Sequence, residues 1–359
     1  MTPVTKPYLP DRAKFIKYVN DIFDREYLTN NGPNVRELEN KLQDFLGVKN
    51  VILVANGTLA LQIAYKALDL RGEVITTPFS FAATTSSLVW ENLKPVFSDI
   101  DENTFNLDPD KIEEKITPET SAILPVHVYG NPCEVEQIEA IAERHNLKLI
   151  YDGAHAFGVK YKGKSVLNYG NLSTLSFHAT KLFHTIEGGA VITEDDDLAH
   201  RIRAMINFGL NNQGSFSNIG INAKMNEFEA AMGLCVFDDI DSILDRRKEI
   251  WQRYYKSLND IVTFQTLPNE VTYNYSYVPI LFKDEETLYK VVDKLKKLEI
   301  FPRRYFHPSL DKVAVFGENG QCENSRDISK RVLCLPTYYT IKNEEQKMTI
   351  DMVRNIDET

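Results

Sequence analysis

A lysine among apolar neighbours is the residue of this sequence best placed for chemistry. It is Lys181, in Ser176-Phe177-His178-Ala179-Thr180-Lys181-Leu182-Phe183, with Glu187-Gly188-Gly189 following. Residues 172–178 and 189–193 on either side read as strands, so the side chain leaves a sheet edge, where open α/β sheets gather ligands. Burial there lowers an amine's pKa and frees its lone pair for Schiff-base formation. Lys181 is therefore able to hold a cofactor aldehyde, with a solvated or salt-bridged lysine as the plainer alternative when it is taken alone.

Further groups fall at other strand ends. Asn56-Gly57-Thr58 lies between a strand and a helix, so Gly57 allows close backbone approach while the helix N-terminus offers free N–H groups to an anion. That is a phosphate seat, with an ordinary strand-to-helix turn as the plainer alternative. Asp152-Gly153-Ala154-His155 follows a strand-like segment and puts a carboxylate at the sheet's carboxyl edge. An aspartate there can keep a pyridine nitrogen protonated, which for pyridoxal phosphate lets the ring absorb electrons released when an α-proton leaves. A helix cap or structural ion pair is the competing reading. Phe81, in Phe79-Ser80-Phe81-Ala82-Ala83-Thr84-Thr85, is placed either to cover a planar ring or to pack in the core, and Ser176 is within reach of the same phosphate.

The elements that must position these groups alternate from about 36 to 207. Strand-like runs at 51–55, 73–77, 95–98, 122–127 and 148–152 alternate with amphipathic stretches such as 58–68 and 134–145. This pattern predicts an α/β fold, a mostly parallel sheet with helices on both faces. After a loop rich in Asn, Gly and Ser at 211–220, one long helix is expected over about 226–258, linking two domains. The large domain is placed at 1–240, with an N-terminal helical segment, and a smaller α+β domain at 241–359. In the latter, strands are expected at 277–282 and 332–335, helices at 285–298 and 343–354, and an aromatic and basic loop at 301–307.

Composition narrows the function classes. The 359 residues carry a net charge of -10 with no basic block, which argues against nucleic acid or an anionic membrane as the main partner. No run approaches the roughly 18 apolar residues of a membrane span, and the N-terminus has no apolar signal core, so a cytoplasmic protein is expected. Cys133, Cys235, Cys322 and Cys334 are far apart and lack metal-ligand spacing, which predicts reduced, buried thiols and no metal site.

Taken in order, these motifs resemble the DegT/DnrJ/EryC1/StrS sugar aminotransferase family of the aspartate aminotransferase superfamily, the PLP-dependent transferase fold type I. The resemblance spans nearly the whole chain. It includes Tyr27-Leu28-Thr29-Asn30-Asn31-Gly32-Pro33, Pro125-Val126-His127-Val128-Tyr129-Gly130, Gly220-Ile221-Asn222-Ala223-Lys224-Met225, Arg304-Tyr305-Phe306-His307-Pro308 and Leu333-Cys334-Leu335-Pro336. It implies pyridoxal 5'-phosphate as cofactor, with Lys181 and Asp152 as the catalytic pair. Phe81 and Ala154 would cover the two ring faces and His155 would neighbour the phenolic oxygen. Gly57, Thr58 and Ser176 would take the phosphate, joined by Asn222 from the partner subunit of a homodimer with shared active sites.

Thr29, Lys224, Arg303, Arg304 and His307 are the candidate substrate contacts. Lys224 stands where the family more often has Arg, and lysine lacks the bidentate fork. Solvated surface charge competes with the substrate reading at Arg303, Arg304 and His307. The resemblance implies ping-pong transamination with L-glutamate as donor and a nucleotide-linked keto-sugar as acceptor. The expected acceptor is dTDP-4-keto-6-deoxyglucose, giving a 4-amino-4,6-dideoxy sugar for bacterial surface polysaccharide such as O-antigen. A 3-keto acceptor is the alternative, and a non-catalytic PLP- or nucleotide-sugar-binding regulator is the rival of another class. A related branch that dehydrates such sugars carries histidine in place of the lysine, and Lys181 argues against it.

Overall fold

A computed structural model describes residues 1–211, 213–317 and 321–355. The chain starts with a short strand, β1 (Thr2–Pro3), and two helices, α1 (Arg12–Asp24) and α2 (Pro33–Leu46). Then come β2 (Asn50–Val54), α3 (Gly57–Ala67), β3 (Glu73–Thr76), α4 (Ala82–Trp90), β4 (Lys94–Phe97), β5 (Thr120–Leu124), α5 (Val135–Arg144) and β6 (Lys148–Asp152). A small hairpin, β7 (Lys160–Tyr161) and β8 (Lys164–Ser165), precedes β9 (Leu172–Ser176), β10 (Gly189–Thr193) and α6 (Asp196–Met205).

Seven of these strands form one sheet in the order β2-β10-β9-β6-β5-β3-β4. Every neighbouring pair is parallel except those made by β10, which runs antiparallel to β2 and β9. The strands are buried on both faces, as a helix-covered sheet requires. Val51 and Leu53 join one core with α2 and the helix at 227–237, while Ile52 and Val54 join another with α3 and α6.

The expected single helix over 226–258 is two helices, α7 (Glu227–Phe237) and α8 (Ile240–Leu258). Asp238 and Asp239 separate them. Lys14 and Lys41 bond Asp238, and Tyr8 donates to Asp239 at 2.9 Å, so both carboxylates are held by the N-terminal segment at the break. Beyond it come β11 (Thr263–Phe264), β12 (Val271–Thr272), β13 (Pro279–Leu281), α9 (Glu285–Lys297), β14 (Ile300–Phe301), α10 (Glu323–Arg331), β15 (Val332–Cys334) and α11 (Asn343–Arg354). A separate core forms here from α8, α9 and α11 around Val278, Ile280 and Leu333. The first residues pack with this unit, since β1 pairs with β14 and Thr337 N–H donates to Val4 O at 2.9 Å. No helix among the described residues is long and apolar enough to cross a membrane.

Helix α2 shows how distant residues complete a local element. Its N-cap, Gly32, has no side chain to offer, and Pro33 follows where a missing N–H costs nothing. The buried carboxylate of Glu227 accepts instead from Asn34 N and Val35 N, both at 3.0 Å. A Cβ on residue 32 would meet Glu227 Cδ at 2.4 Å, so the position requires glycine.

Candidate active site

The carboxyl ends of the parallel strands open onto a cavity of about 300 Å³. Gly57, Thr58, Phe81, Asp152, Ala154, His155, Ser176, Lys181 and Arg303 all line it. Residues from four strand ends and from the C-terminal unit thus meet in one place.

Local structure explains how each group arrives. Asn56 caps α3 by accepting from Leu59 N at 2.9 Å, which leaves the first N–H groups of the helix facing the cavity. Gly57 touches the end of β9 so closely that a Cβ would lie 2.8 Å from Ser176 Cβ. Gly189 is as constrained, because a Cβ there would fall 2.8 Å from Gly57 N. Small residues at 57 and 189 therefore bring the helix N-terminus beside the Ser176 hydroxyl.

Lys181 sits in the connection from β9 to β10. Phe177 N donates to Gly188 O at 2.8 Å and Thr185 N to Phe177 O at 2.9 Å, closing the segment on itself. Phe183 packs edge-on to Phe177, ring centroids 5.0 Å apart, and stacks on Phe157 at 4.6 Å. With its downstream neighbours anchored in the core, Lys181 is turned to the cavity. Burial lowers its amine to about 8, while Asp152 and Tyr305 pull it back toward the ordinary lysine value. Its Nζ donates to Tyr277 OH at 3.4 Å.

Asp152 is buried, and burial raises its pKa above the usual carboxylate range, opposed by Thr84, Ala154 N and Lys181. Thr84 Oγ1 donates to Oδ2 at 2.8 Å and Ala154 N to Oδ1 at 3.1 Å. His155 is pushed well below the usual histidine value by burial and then by the Lys181 charge, so its ring is neutral. Tyr129 N donates to Nδ1 at 3.1 Å, which puts the ring's single proton on Nε2. Tyr129 has φ of 59°, a conformation an ordinary side chain rarely adopts, and this aims its N–H at the imidazole.

The remaining candidates lie elsewhere. Arg304 donates to Glu285 at 2.7 Å, Tyr289 OH at 2.8 Å and Lys330 O at 2.9 Å, and its Nη2 lies 3.2 Å from His307 Nδ1. These two residues tie the 301–307 loop to α9 and α10 and do not line the cavity. Arg303 does, and it pairs with Cys334 in extended backbone, where successive side chains point to opposite sides. Thr29 and Asn222 are exposed outside the cavity. Lys224 lines a second cavity of about 240 Å³ with Asn30 and Asn31, and donates to Asn207 Oδ1 at 2.9 Å. Thr84, Ser80 and Tyr277 are wall residues that the sequence reading passed over. The one signal for the first two was the run of hydroxyls on both sides of Phe81, Ser80 before it and Thr84 and Thr85 in the helix after it.

A half-buried low-pKa lysine, a buried aspartate, a helix N-terminus beside a serine hydroxyl, and a neutral histidine suit one group: an aldehyde-bearing pyridine with a phosphate. Fold and site together define a pyridoxal-phosphate-dependent enzyme. The family model for DegT/DnrJ/EryC1/StrS aminotransferases matches residues 10–354, and this chain belongs to that family. It is accordingly a pyridoxal-phosphate-dependent aminotransferase. The chain is 44% identical over 360 residues to a dTDP-4-amino-4,6-dideoxy-D-glucose transaminase of Shigella dysenteriae, covering 98% of each protein. It is 42% identical to an enzyme of the same name from Escherichia coli, covering 96% of this chain and 95% of the other. The solved structure of DesI with its TDP-sugar product superposes with a TM-score of 0.92 at 37% identity, covering 98% of this chain and 92% of that one.

Proposed function

We propose that this enzyme moves an amino group from L-glutamate to C4 of dTDP-4-keto-6-deoxyglucose, yielding dTDP-4-amino-4,6-dideoxyglucose for a bacterial surface polysaccharide. The reading is carried by the meeting of Lys181 and Asp152 in one cavity, and the acceptor is supported by the two relatives at 42% and 44% identity. When bound, pyridoxal phosphate supplies an aldehyde that takes up the amino group and a ring that accepts electrons.

The chain's own residues do the rest. Lys181 would hold the aldehyde, and its freed ε-amine would carry the proton to and from the substrate carbon. Asp152 would hold the ring nitrogen in its protonated form. Neutral His155 would donate from Nε2 to the phenolic oxygen, and Phe81 and Ala154 would bound the ring faces. Gly57, Thr58 and Ser176 receive the phosphate at the N-terminus of α3. Arg303 is the cation for the acceptor's diphosphate.

The working unit is a homodimer. Asn222 and Lys224 lie outside the cavity of their own chain, beside Phe208, Phe216, Ile219 and Ile221, whose apolar side chains are exposed, Ile219 by 94%. Exposed apolar side chains this close together support the reading that another protein covers this surface. The cavity itself leaves Phe81 59% exposed. A second copy that covered this surface would bring its Asn222 to the phosphate and complete each site. The four free, buried thiols suit a reducing compartment, and we place the enzyme in the cytoplasm.

The test is incubation with glutamate and a panel of 4-keto and 3-keto sugar nucleotides, with mass and NMR analysis of the product. Amination at C4 of the dTDP-6-deoxyhexose is expected, and amination at C3 alone would replace the acceptor named here. Lys181→Ala should remove the visible absorbance of the bound aldehyde and cut turnover about a thousandfold or more. Full activity in that variant would sink the assignment.

A further inference from the structure

Three of the four buried residues of α4 carry hydroxyls, Leu88 being the fourth. Thr84 is 1% exposed, Thr85 0% and Ser87 1%. A helix face this deep is ordinarily apolar, because a hydroxyl withdrawn from water is costly unless it is bonded. Ser87 donates to the helix's own backbone at Thr84 O, at 3.2 Å. Thr84 instead turns its hydroxyl to the site.

Thr84 Oγ1 lies 2.8 Å from Asp152 Oδ2 and 2.7 Å from Ser80 Oγ, and Ser80 is also buried. A threonine hydroxyl has one proton, and an ionised carboxylate only accepts. The proton of Thr84 therefore goes to Asp152, and Ser80 must donate to Thr84. With Asp152 protonated, its own O–H could donate to Thr84 and the direction would no longer be fixed. The Ser80 to Thr84 to Asp152 chain is thus matched to the charged aspartate. Ala154 N holds the other oxygen at 3.1 Å, so each oxygen has one fixed donor and keeps acceptor capacity on a residue that lines the cavity.

We propose that Thr84 and Ser80 are positioning residues that keep Asp152 ionised and oriented for the cofactor's ring nitrogen. This rests on the role proposed above for Asp152. Thr84 is the largest of the influences opposing the upward push that burial exerts on that carboxylate. Thr84→Val keeps the shape and removes the donor, and Thr84→Ser keeps the donor.

The experiment loads wild-type and variant enzymes with pyridoxal phosphate carrying ¹⁵N in the ring and records the ring-nitrogen resonance and the glutamate half-reaction. In Thr84→Val the resonance moves from the pyridinium toward the neutral pyridine position. The half-reaction slows about 10- to 100-fold, as loss of a hydrogen bond to a charged group implies, with the KM for glutamate nearly unchanged. Thr84→Ser restores both, and Ser80→Ala falls between. A wild-type resonance and rate in Thr84→Val overturn the proposal, as does a Thr84→Ser variant that loses as much as the valine. If the valine variant fails to fold, Ser80→Ala decides, because its hydroxyl does not touch Asp152; an unmoved resonance there overturns the chain. A neutral-pyridine resonance in the wild-type enzyme would instead overturn the Asp152 pairing itself.

Discussion

At the scale of single residues, the site depends on burial shifting Lys181 and His155 toward their neutral forms. Removing water disfavours the charged form, so Lys181 falls to about 8 and more of its amine is neutral near physiological pH than in an exposed lysine. Capture of pyridoxal phosphate by the cofactor-free protein should accelerate about tenfold per pH unit below 8 and level off above it. Stopped-flow absorbance across a pH series measures this, and a plateau reached only near the ordinary lysine value would contradict it. The neighbouring arginines separate by the same attention to surroundings. Arg303→Ala should raise the KM for the sugar nucleotide about 10- to 100-fold. Arg304→Ala should leave KM alone and cost about 1–2 kcal/mol of stability, through its bonds to Glu285 and Lys330 O. Steady-state kinetics paired with denaturant unfolding distinguishes the two.

At the scale of elements, α2 is completed by a carboxylate 193 residues away from Asn34. Glu227 is fully buried, accepts two N–H groups at the helix start and has Arg25 at 3.5 Å. Its negative charge also faces the positive end of the helix dipole. Glu227→Ala should cost about 3 kcal/mol, because two donors lose their acceptor inside the core. The denaturation midpoint reports it, and a change under a few tenths of a kcal/mol would show that water replaces the cap. The split between α7 and α8 belongs to this scale too. No proline interrupts residues 226–258, so the sequence reads as one helix. At the break the two aspartates are held by Tyr8, Lys14 and Lys41, and none of them is near in sequence.

At the scale of the whole molecule, a pocket open at Phe81 and an apolar strip from Phe208 to Ile221 pose the same question, what covers them. Ile219→Asp should yield a folded monomer with little activity, since a charge in an apolar contact is desolvated without a partner. Sedimentation measures the mass and circular dichroism the fold. Mixing Lys181→Ala with Asn222→Ala protein should restore activity that neither parent has, because a hybrid dimer holds one site with both native residues. No gain on mixing would mean that each chain works with its own Asn222.

The sequence by itself determined what recurs locally. Strand and helix types follow from hydrophobic period, and the ends of strands place Gly57, Asp152, Ser176 and Lys181 at one edge of a parallel sheet, because all such strands point the same way. Those four residues all line the cavity. Tertiary structure decided what depends on return of the chain. Thr84 meets Asp152 across 68 residues and Tyr277 meets Lys181 across 96, and no local pattern encodes either distance. Arg303 and Arg304 are alike in sequence, yet extended backbone sends them to opposite sides, one to the cavity and one to Glu285. Side-chain direction there is set by the pairing of residue 303 with Cys334, a partner that only the folded chain supplies.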